Sequence, residues 1–301
     1  MKKLFILSSK AGSRDFKAFE KSILRIYKRN NREDELIIRT TENKDSAKEY
    51  ARDFIKDDPE NKIVIVCGGD GTLGEVSNVL AGTKAALGLI PMGTANDFSK
   101  NFAYKNFKIE DTFDPIIRPI DLMQVNEDYC INVMSLGFDT YVLERTYELL
   151  AKNPKLKERA FLRAAVKSLL NLVYEDLTMK MTLADGSEKI ISDSFLITAL
   201  CNGSYYGSGF NPAPDALLDD GLLNLVLAKA MSLYEVLPLL RKYKKGSHLG
   251  HQLISEYKVK DLNISSNKLL TYNIDGEIYK ANEINVNVIE NGINWAFFDK
   301  A

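Results

Sequence analysis

The sequence predicts an α/β domain with a parallel sheet, followed by a β-rich domain built as an antiparallel sandwich. Up to about residue 122, strand-like apolar runs alternate with segments of helical periodicity, which is typical of parallel sheets. Beyond that point, short strands of alternating pattern follow one another, which is typical of antiparallel sandwiches. We therefore expect a first domain of residues 1–122, with 287–301 packing back on it, and a second domain of residues 123–286.

The elements follow in order along the chain. In the first domain, strands are expected at residues 4–7, 35–41, 63–66 and from 87, and helices at 16–27, 46–55, 75–80 and after 97. In the second domain, short strands include residues 262–266, 270–275 and 284–288, and one helical block covers about 140–174. Asn153 precedes a proline, so we expect the block to divide there.

Composition limits the class of protein. The chain has 301 residues, enough for real cores, and a formal net charge of -1, which argues against a general nucleic-acid binder. The chain has three cysteines, Cys67, Cys130 and Cys201, which are widely spaced. We therefore expect a protein without disulfides or a zinc cluster, which fits the reducing cytoplasm. No apolar run approaches the ~18 residues of a membrane span. A lipid substrate would therefore be met from outside the bilayer.

Residues 63–74 read I-V-I-V-C-G-G-D-G-T-L-G, a buried strand that breaks into a glycine-rich loop. Glycine has no Cβ, so the backbone N–H groups of the loop can approach an anion closely. Thr72 is a candidate N-cap for the following helix, whose positive end would face a phosphate. Asp70 would repel that phosphate unless a cation stood between them, so we expect it to act through Mg²⁺. The alternative is a turn that only reverses the chain.

Two other loops join this pattern. Residues 87–98 read L-G-L-I-P-M-G-T-A-N-D-F, again a strand that ends in a glycine-threonine loop. The loop from Ser8 to Gly12 is small, polar and cationic at Lys10, and could hold phosphate. An ordinary polar turn remains the alternative there. Carboxyl ends of parallel strands meet at one edge of a sheet, so these loops should lie close together.

Two acidic stretches lie in the second domain. Asp215, Asp219 and Asp220 surround a turn and suit either a hard cation or plain solvation. Asp275 and Glu277 flank a glycine at the end of a strand. Phosphoryl transfer to an alcohol needs a group that takes the hydroxyl proton and a metal ion that offsets the negative charge of the phosphate oxygens. Glu277 suits the first task and Asp275 the second, although carboxylates in a hairpin turn are usually inert.

Basic residues are concentrated in the second domain. Residues 152–167 contain six Lys or Arg against one Glu, and residues 241–245 contain four more. An anionic lipid surface would fit this charge, and two solvated helix faces are the alternative. His248 and His251 have no nearby cysteine or acidic partner in the sequence, so we expect surface residues rather than metal ligands.

The two glycine-threonine loops together resemble the diacylglycerol kinase catalytic family, lipid kinases that include bacterial diacylglycerol kinases and sphingosine kinases. The G-G-D-G-T loop alone also resembles the more distant NAD kinases. The resemblance implies ATP and Mg²⁺ as cofactors, Glu277 as general base, and Asp275 and Asp70 as further catalytic residues. It implies a structural Mg²⁺ on Asp220 and on carbonyls near Leu217 and Leu222. The expected nucleotide-binding residues are Ser8, Ser9, Lys10, Ala11, Gly12, Thr41, Gly68, Gly69, Asp70, Gly71, Thr72, Leu73, Gly74, Thr94 and Asn96.

We therefore expect an ATP-dependent lipid kinase with diacylglycerol as the leading acceptor. A kinase that acts on a sphingoid base, a polyprenol or another glycerolipid would have similar sequence motifs. An NAD kinase-like enzyme is the runner-up, which the P-M-G-T-A-N-D-F stretch and the D-D-G turn disfavour. A catalytically silent nucleotide- or lipid-binding regulator is disfavoured by the intact Asp70, Asp275 and Glu277. We expect a cytoplasmic protein, peripherally associated with anionic phospholipid, that binds no nucleic acid. The resemblance to bacterial members of the family suggests a homodimer, but the sequence leaves the oligomeric state open.

Overall fold

A computed structural model describes residues 1–9, 16–104, 106–156 and 158–298, with only the backbone of Glu158. The chain divides into two compact units. The first contains Met1–Leu122 and the chain from Ile289 onward, and the second contains Met123–Val288. The end of the chain thus belongs to the same unit as its beginning.

Strands and helices alternate in the first unit. Its elements are β1 (Lys2–Leu7), α1 (Phe16–Arg29), β2 (Leu36–Thr40), α2 (Ser46–Ile55), β3 (Lys62–Gly68), α3 (Asp70–Leu80) and β4 (Ala86–Pro91). The strand β5 (Ile116–Val125) then runs from the first unit into the second.

Strands dominate the second unit. Its elements are β6 (Asp128–Cys130), β7 (Val133–Gly137), α4 (Phe138–Lys152), α5 (Glu158–Leu169), β8 (Glu175–Leu183), β9 (Glu188–Cys201), β10 (Leu223–Lys229), α6 (Leu233–Lys245), β11 (Ile254–Ile274) and β12 (Glu277–Phe297). The last residues of β12 belong to the first unit.

The sheet of the first unit is parallel. β1 pairs with β2 and β3, and β3 pairs with β4. The end of β12 joins this sheet in parallel beside β4, where Asn294 lies opposite Ala86. Trp295 is buried there, edge-on to Phe98 and stacked on Phe102. The carboxyl ends of β1 to β4 consequently lie at one edge of the sheet.

The sheet of the second unit is antiparallel. Its strands follow the order β10, β9, β7, β11 and β12, and β8 pairs with both β9 and β11. The core is aliphatic and sulfur-rich, with fully buried members such as Met179, Met181, Leu200, Leu225 and Ile264. Together with the parallel sheet of the first unit, this arrangement confirms the predicted fold class.

Several local expectations were wrong. After residue 97 there is one 3₁₀ turn, Phe98–Asn101, in place of a helix, because Asn96 takes a left-handed conformation with φ +48° just before it. The strands expected at residues 262–275 join into the single strand β11, because a bulge between Ser265 and Leu270 maintains pairing with β12.

His248 was expected at the surface, but it is fully buried against the Tyr243 ring. Burial lowers the pKa of His248.

We find no helix in the described ranges that has the length and hydrophobicity to cross a bilayer.

Candidate active site

The loops at the ends of β1, β2 and β3 are joined by hydrogen bonds. The N–H of Ser9, after β1, donates to Oγ1 of Thr41, after β2, at 3.0 Å. The hydroxyl of Thr72, after β3, donates to the hydroxyl of Ser8 at 3.1 Å. The residues that follow β1, β2 and β3 thus lie together at one edge of the sheet.

The loop after β4 lies against the loop after β3. The N–H groups of Met92 and Gly93 both donate to the carbonyl oxygen of Gly68, at 2.9 and 3.1 Å. A Cβ on Gly93 would lie 2.5 Å from Cα of Gly69, closer than real Cβ contacts occur. Both loops therefore need glycine at this contact.

The N-terminus of α3 carries the main phosphate-binding potential. α3 begins at Asp70 with Gly69 as N-cap, and no side chain of the described residues caps it. The first bond of this helix runs from the N–H of Leu73 to the carbonyl of Gly69, at 3.1 Å. The N–H groups of Asp70, Gly71 and Thr72 are therefore not used within the helix. Among the described residues, a Cβ on Gly71 would meet nothing within 4 Å, so they leave this side accessible to a ligand.

These contacts correct two predictions on α3. Thr72 is not the N-cap, because the helix begins at Asp70 and the Thr72 hydroxyl bonds to Ser8. Leu73 and Gly74 were predicted to bind nucleotide, but both are buried inside the first turns of α3. The Leu73 N–H is used within the helix, and the Gly74 carbonyl accepts from the side chains of Ser77 and Asn78. This burial favours a structural role for both residues within α3.

Asp70 connects α3 to the loop after β4. Its Oδ2 accepts the N–H of Asp97 and its Oδ1 accepts the N–H of Phe98, both at 3.0 Å. Burial raises the pKa of Asp70, and these two backbone hydrogen bonds oppose the rise. The carboxylate thus fixes the loop position. Each carboxylate oxygen can accept more than one hydrogen bond, so Asp70 keeps capacity for a further ligand.

The remaining residues of this loop have distinct positions. Asn96 donates its Nδ2 to the carbonyl of Gly93 at 2.8 Å. Its Oδ1 is buried and has no hydrogen-bond partner among the described residues. Thr94 is exposed, and Asp97 is buried and forms an ion pair with Lys100. Asn96 therefore stabilises the loop conformation, whereas Thr94 is accessible to a ligand.

Lys10, Ala11 and Gly12, also predicted to bind nucleotide, lie outside the described residues.

The D-G-E stretch of the second unit forms a tight hairpin between β11 and β12. Ile274 pairs with Glu277, which leaves Asp275 and Gly276 as a two-residue turn. Both turn residues have positive φ, +47° and +92°. Two positive φ values define a type I′ turn, for which Asp-Gly is a preferred sequence.

The Asp275 carboxylate is occupied by the chain between β6 and β7. It accepts the N–H groups of Ile131, Asn132 and Val133 at 2.8, 3.0 and 3.2 Å, and the Cys130 thiol lies 3.3 Å away. Burial raises the pKa of Asp275 to about 6. These donors use most of the acceptor capacity of the carboxylate and hold the hairpin in place, which favours a structural role for Asp275 over the predicted role at the metal.

Glu277 has a different environment. Glu277 is exposed at the start of β12. The Tyr147 hydroxyl of α4 donates to the carbonyl of the adjacent Gly276 at 2.6 Å. Burial raises the pKa of Tyr147, and the negative charge of Glu277 adds to that rise. The hairpin thus presents the Glu277 carboxylate where a substrate hydroxyl can reach it.

At the predicted structural metal site, the Asp220 carboxylate has two partners. Its Oδ1 accepts the N–H of Leu222 at 3.1 Å, and its Oδ2 pairs with Nζ of Lys258 at 2.8 Å. Leu217 is exposed. The ammonium of Lys258 supplies positive charge beside Asp220, and ligation of Mg²⁺ by Asp220 and the carbonyls near Leu217 and Leu222 stays a prediction. Within the described ranges, no group of three or more His, Cys, Asp or Glu side chains could hold a metal ion.

Sequence reasoning missed Lys258 and Tyr147. Lys258 lies 38 positions from Asp220, and Tyr147 lies 129 positions from Gly276. Neither pair has a local sequence signal, because strand pairing and helix packing bring the residues together.

Comparisons with known proteins identify the family to which both parts of the chain are similar. The family model for the diacylglycerol kinase catalytic domain matches residues 2–125. The model for the YegS C-terminal NAD kinase beta sandwich-like domain matches residues 132–294. The two matches together run from β1 into β12, with residues 126–131 between them.

Similar proteins carry related names. Diacylglycerol kinase of Bacillus subtilis is 30% identical over 225 residues, which cover 72% of each chain. A protein of Pectobacterium atrosepticum named Probable lipid kinase YegS-like is 31% identical over 274 residues, 86% of this chain and 85% of that one. The crystal structure of a diacylglycerol kinase from Bacillus anthracis shares the fold with a TM-score of 0.71 at 19% identity, over 98% of this chain and 96% of that one.

Proposed function

Since this chain belongs to the diacylglycerol kinase family of lipid kinases, we propose that it transfers the γ-phosphoryl group of ATP to diacylglycerol, forming phosphatidate. Membership of the family implies ATP as phosphoryl donor. The choice of diacylglycerol is supported by the name of the Bacillus subtilis relative. The observation that carries the proposal is the uncapped N-terminus of α3 beside the linked loops of β1, β2 and β4.

The first unit binds the nucleotide in this proposal. The N–H groups of Asp70, Gly71 and Thr72 donate to phosphate oxygens, and the positive end of α3 favours the negative charge. Ser9 and Thr41, hydrogen-bonded to each other, lie at the same edge of the sheet and contact the nucleotide there. Thr94 adds an exposed hydroxyl from the loop after β4.

Asp70 fits a bound Mg²⁺, because its partly buried carboxylate adjoins the amides that receive phosphate and retains acceptor capacity. Mg²⁺ bound with ATP supplies positive charge that offsets the charge of the phosphate oxygens. The hydrogen bonds from Asp97 and Phe98 hold the carboxylate in one orientation for this task.

The second unit supplies the base. Glu277 accepts the proton of the lipid hydroxyl as that oxygen bonds to the γ-phosphorus, and the bond from phosphorus to the departing ADP oxygen breaks. Asp275 does not take part in the transfer. It fixes the hairpin through Ile131, Asn132 and Val133, and so positions Glu277.

The acceptor is insoluble in water, so the proposal includes peripheral contact with a membrane. Basic residues of the second unit attract an anionic phospholipid surface, at about 1 kcal/mol for each side chain near the membrane.

The test is a phosphorylation screen with the purified full chain. Labelled ATP is incubated with vesicles that contain diacylglycerol, sphingosine or a polyprenol, and separately with NAD, and products are identified by mass. We expect phosphatidate as the main product. Transfer to NAD alone, or nucleotide binding without transfer to any lipid, would contradict the proposal.

A further inference from the structure

The helix α5 has one face that packs inward and is made of small residues. Ala160 and Ala164 are fully buried, and Ser168 is 3% exposed, at a spacing of four residues. The Ser168 hydroxyl accepts from Arg145 of α4 at 3.1 Å. Small side chains form most of this contact, together with the partly buried Leu169, and the packing of α5 leaves other large apolar residues outside it.

Those large residues face solvent instead. Leu162 is 65% exposed, Val166 is 52% exposed, and Leu170, directly after the helix, is 77% exposed. Residues at a spacing of four form one stripe along a helix. A contiguous apolar stripe on the surface is costly in water and usually marks an interaction site.

A row of positive charge runs beside the apolar stripe. Arg159, Arg163 and Lys167 are exposed and share the same spacing of four. Each lies one position after or three before a stripe residue, so the two rows are neighbours on the helix. An apolar face bordered by Arg and Lys is the pattern of helices that lie in a membrane interface.

We propose that these two rows, which we call the α5 ridge (Leu162, Val166, Leu170, Arg159, Arg163 and Lys167), dock the protein on an anionic phospholipid bilayer. The aliphatic side chains enter the boundary between headgroups and acyl chains, and the guanidinium and ammonium groups bind lipid phosphates. This inference rests on the proposed function, since it gives the enzyme access to an insoluble acceptor.

The charge favours a bilayer over a second copy of the chain. In a symmetric dimer through this surface, the rows of Arg159, Arg163 and Lys167 would meet like charge. An anionic lipid surface instead offers opposite charge next to an apolar layer, which matches both rows together.

The experiment measures vesicle binding of the full chain without nucleotide. Vesicles contain equal parts of phosphatidylglycerol and phosphatidylcholine, or phosphatidylcholine alone, and binding is measured by co-sedimentation. One variant carries Leu162→Gln, Val166→Gln and Leu170→Gln, and another carries Arg159→Gln, Arg163→Gln and Lys167→Gln. Ile190→Gln, at 66% exposure on β9, is the matched apolar control, and Lys268→Gln, exposed on β11, is the matched charge control.

We expect each triple variant to lose at least about tenfold in affinity for anionic vesicles, while both controls bind as wild type. Added salt should weaken the wild type more than the charge variant, because salt screens only the charged contacts. Circular dichroism and thermal unfolding verify that all variants remain folded. In a second measurement, Leu162→Trp should give a blue-shifted emission on anionic vesicles, beyond that of the buried Trp295.

Wild-type binding by the apolar variant, or a dimer that this variant alone dissociates, would overturn the proposal. Turnover of a short-chain diacylglycerol dispersed in water separates this test from that of the proposed function. Ridge variants that lose vesicle binding but keep this turnover support the docking role. A wild type that binds vesicles through the ridge but phosphorylates no lipid would refute the kinase proposal and leave the docking role intact.

Discussion

Gly93 and Gly69 are in direct backbone contact, so that a Cβ on Gly93 would lie 2.5 Å from Cα of Gly69. The neighbouring backbone, rather than a flexible side chain, would have to move. Two of the loops at the candidate active site therefore share one tight contact. A change at this contact should disturb stability and nucleotide binding together.

We predict that Gly93→Ala destabilises the protein by about 1–3 kcal/mol, the usual cost of overpacking, and weakens ATP binding. Gly71→Ala is the matched control, because a Cβ there meets no atom of residues 1–9, 16–104, 106–156 or 158–298 within 4 Å. It should keep or raise stability while its methyl group obstructs the phosphate and weakens ATP binding. Thermal unfolding and calorimetric titration with ATP measure both effects. Equal stability of the two variants would contradict the close contact.

Asp70→Asn should lower both stability and activity. The amide side chain offers one acceptor in place of two, so an N–H of Asp97 or Phe98 is left without a partner, at a cost of about 1–3 kcal/mol. The Mg²⁺ concentration for half-maximal activity should also rise, because a ligand charge is removed. A destabilised variant whose activity depends on Mg²⁺ as in wild type would support the contact of Asp70 with the loop after β4. The same result would refute the role of Asp70 in binding Mg²⁺.

Glu277→Gln should abolish phosphoryl transfer, because the amide cannot take the hydroxyl proton. The variant should stay folded, since Glu277 is exposed, and should bind ATP as wild type. Glu283→Gln, also exposed on β12, is the matched control and should stay active. Initial rates with diacylglycerol vesicles decide the question. Retained turnover in the Glu277 variant would remove this residue as the base.

Lys258→Met should destabilise the chain by about 1 kcal/mol, the scale of a partly exposed ion pair, because Asp220 loses its countercharge. Added Mg²⁺ should restore part of this loss only in the variant, since a divalent cation can then take the place of the ammonium. Lys260→Met, exposed on the same strand, controls for the loss of a surface charge. Differential scanning calorimetry with Mg²⁺ or with chelator makes the comparison. If Mg²⁺ stabilised the wild type as strongly as the variant, Mg²⁺ would not be taking the place of the Lys258 ammonium.

Asp139 should make stability depend on pH. Burial raises the pKa of its carboxyl to about 6, although the Ser135 hydroxyl donates to it at 2.6 Å. An unfolded Asp ionises near ~4, so the folded state holds an extra proton between these values. The stability from this group is complete below about pH 4 and is lost as pH rises through 6.

Asp139→Asn removes this ionisation, so the variant should gain stability relative to wild type as pH rises from about 4 to 7. Unfolding midpoints across this range measure the difference. Asp185→Asn provides a contrast of opposite sign below about pH 4, because hydrogen bonds from Ser187 lower the pKa of the exposed Asp185 and the stability from its ionised form is lost as pH falls. A constant difference between the Asp139 variant and wild type at every pH would contradict this effect.

The sequence predicted the parts of the fold that depend on local pattern. The apolar run at residues 63–66 indicated a buried parallel strand, and β3 is buried on both faces. The helix expected at residues 46–55 is α2 with the same bounds. The Asp-Gly pair at 275–276 sits in the hairpin turn that its chemistry favours.

The partners of the predicted site residues could not be read from the sequence. Asp70 and Asp275 were recognised as unusual carboxylates, but the groups that occupy them are backbone amides, which every residue carries. The ion pair of Asp220 depends on strand pairing across 38 positions. Such long-range pairing is a property of the folded chain, whereas the glycine loops follow from residue type alone.

The end of β12 completes the parallel sheet of the first unit, where Trp295 packs on Phe98 and Phe102. Those contacts join residues about 200 positions apart in synthesis. The parallel sheet of the first unit therefore cannot gain this strand before residues 294 and 295 have been synthesised. A shorter nascent chain already holds the glycine loops but lacks the strand that lies beside β4.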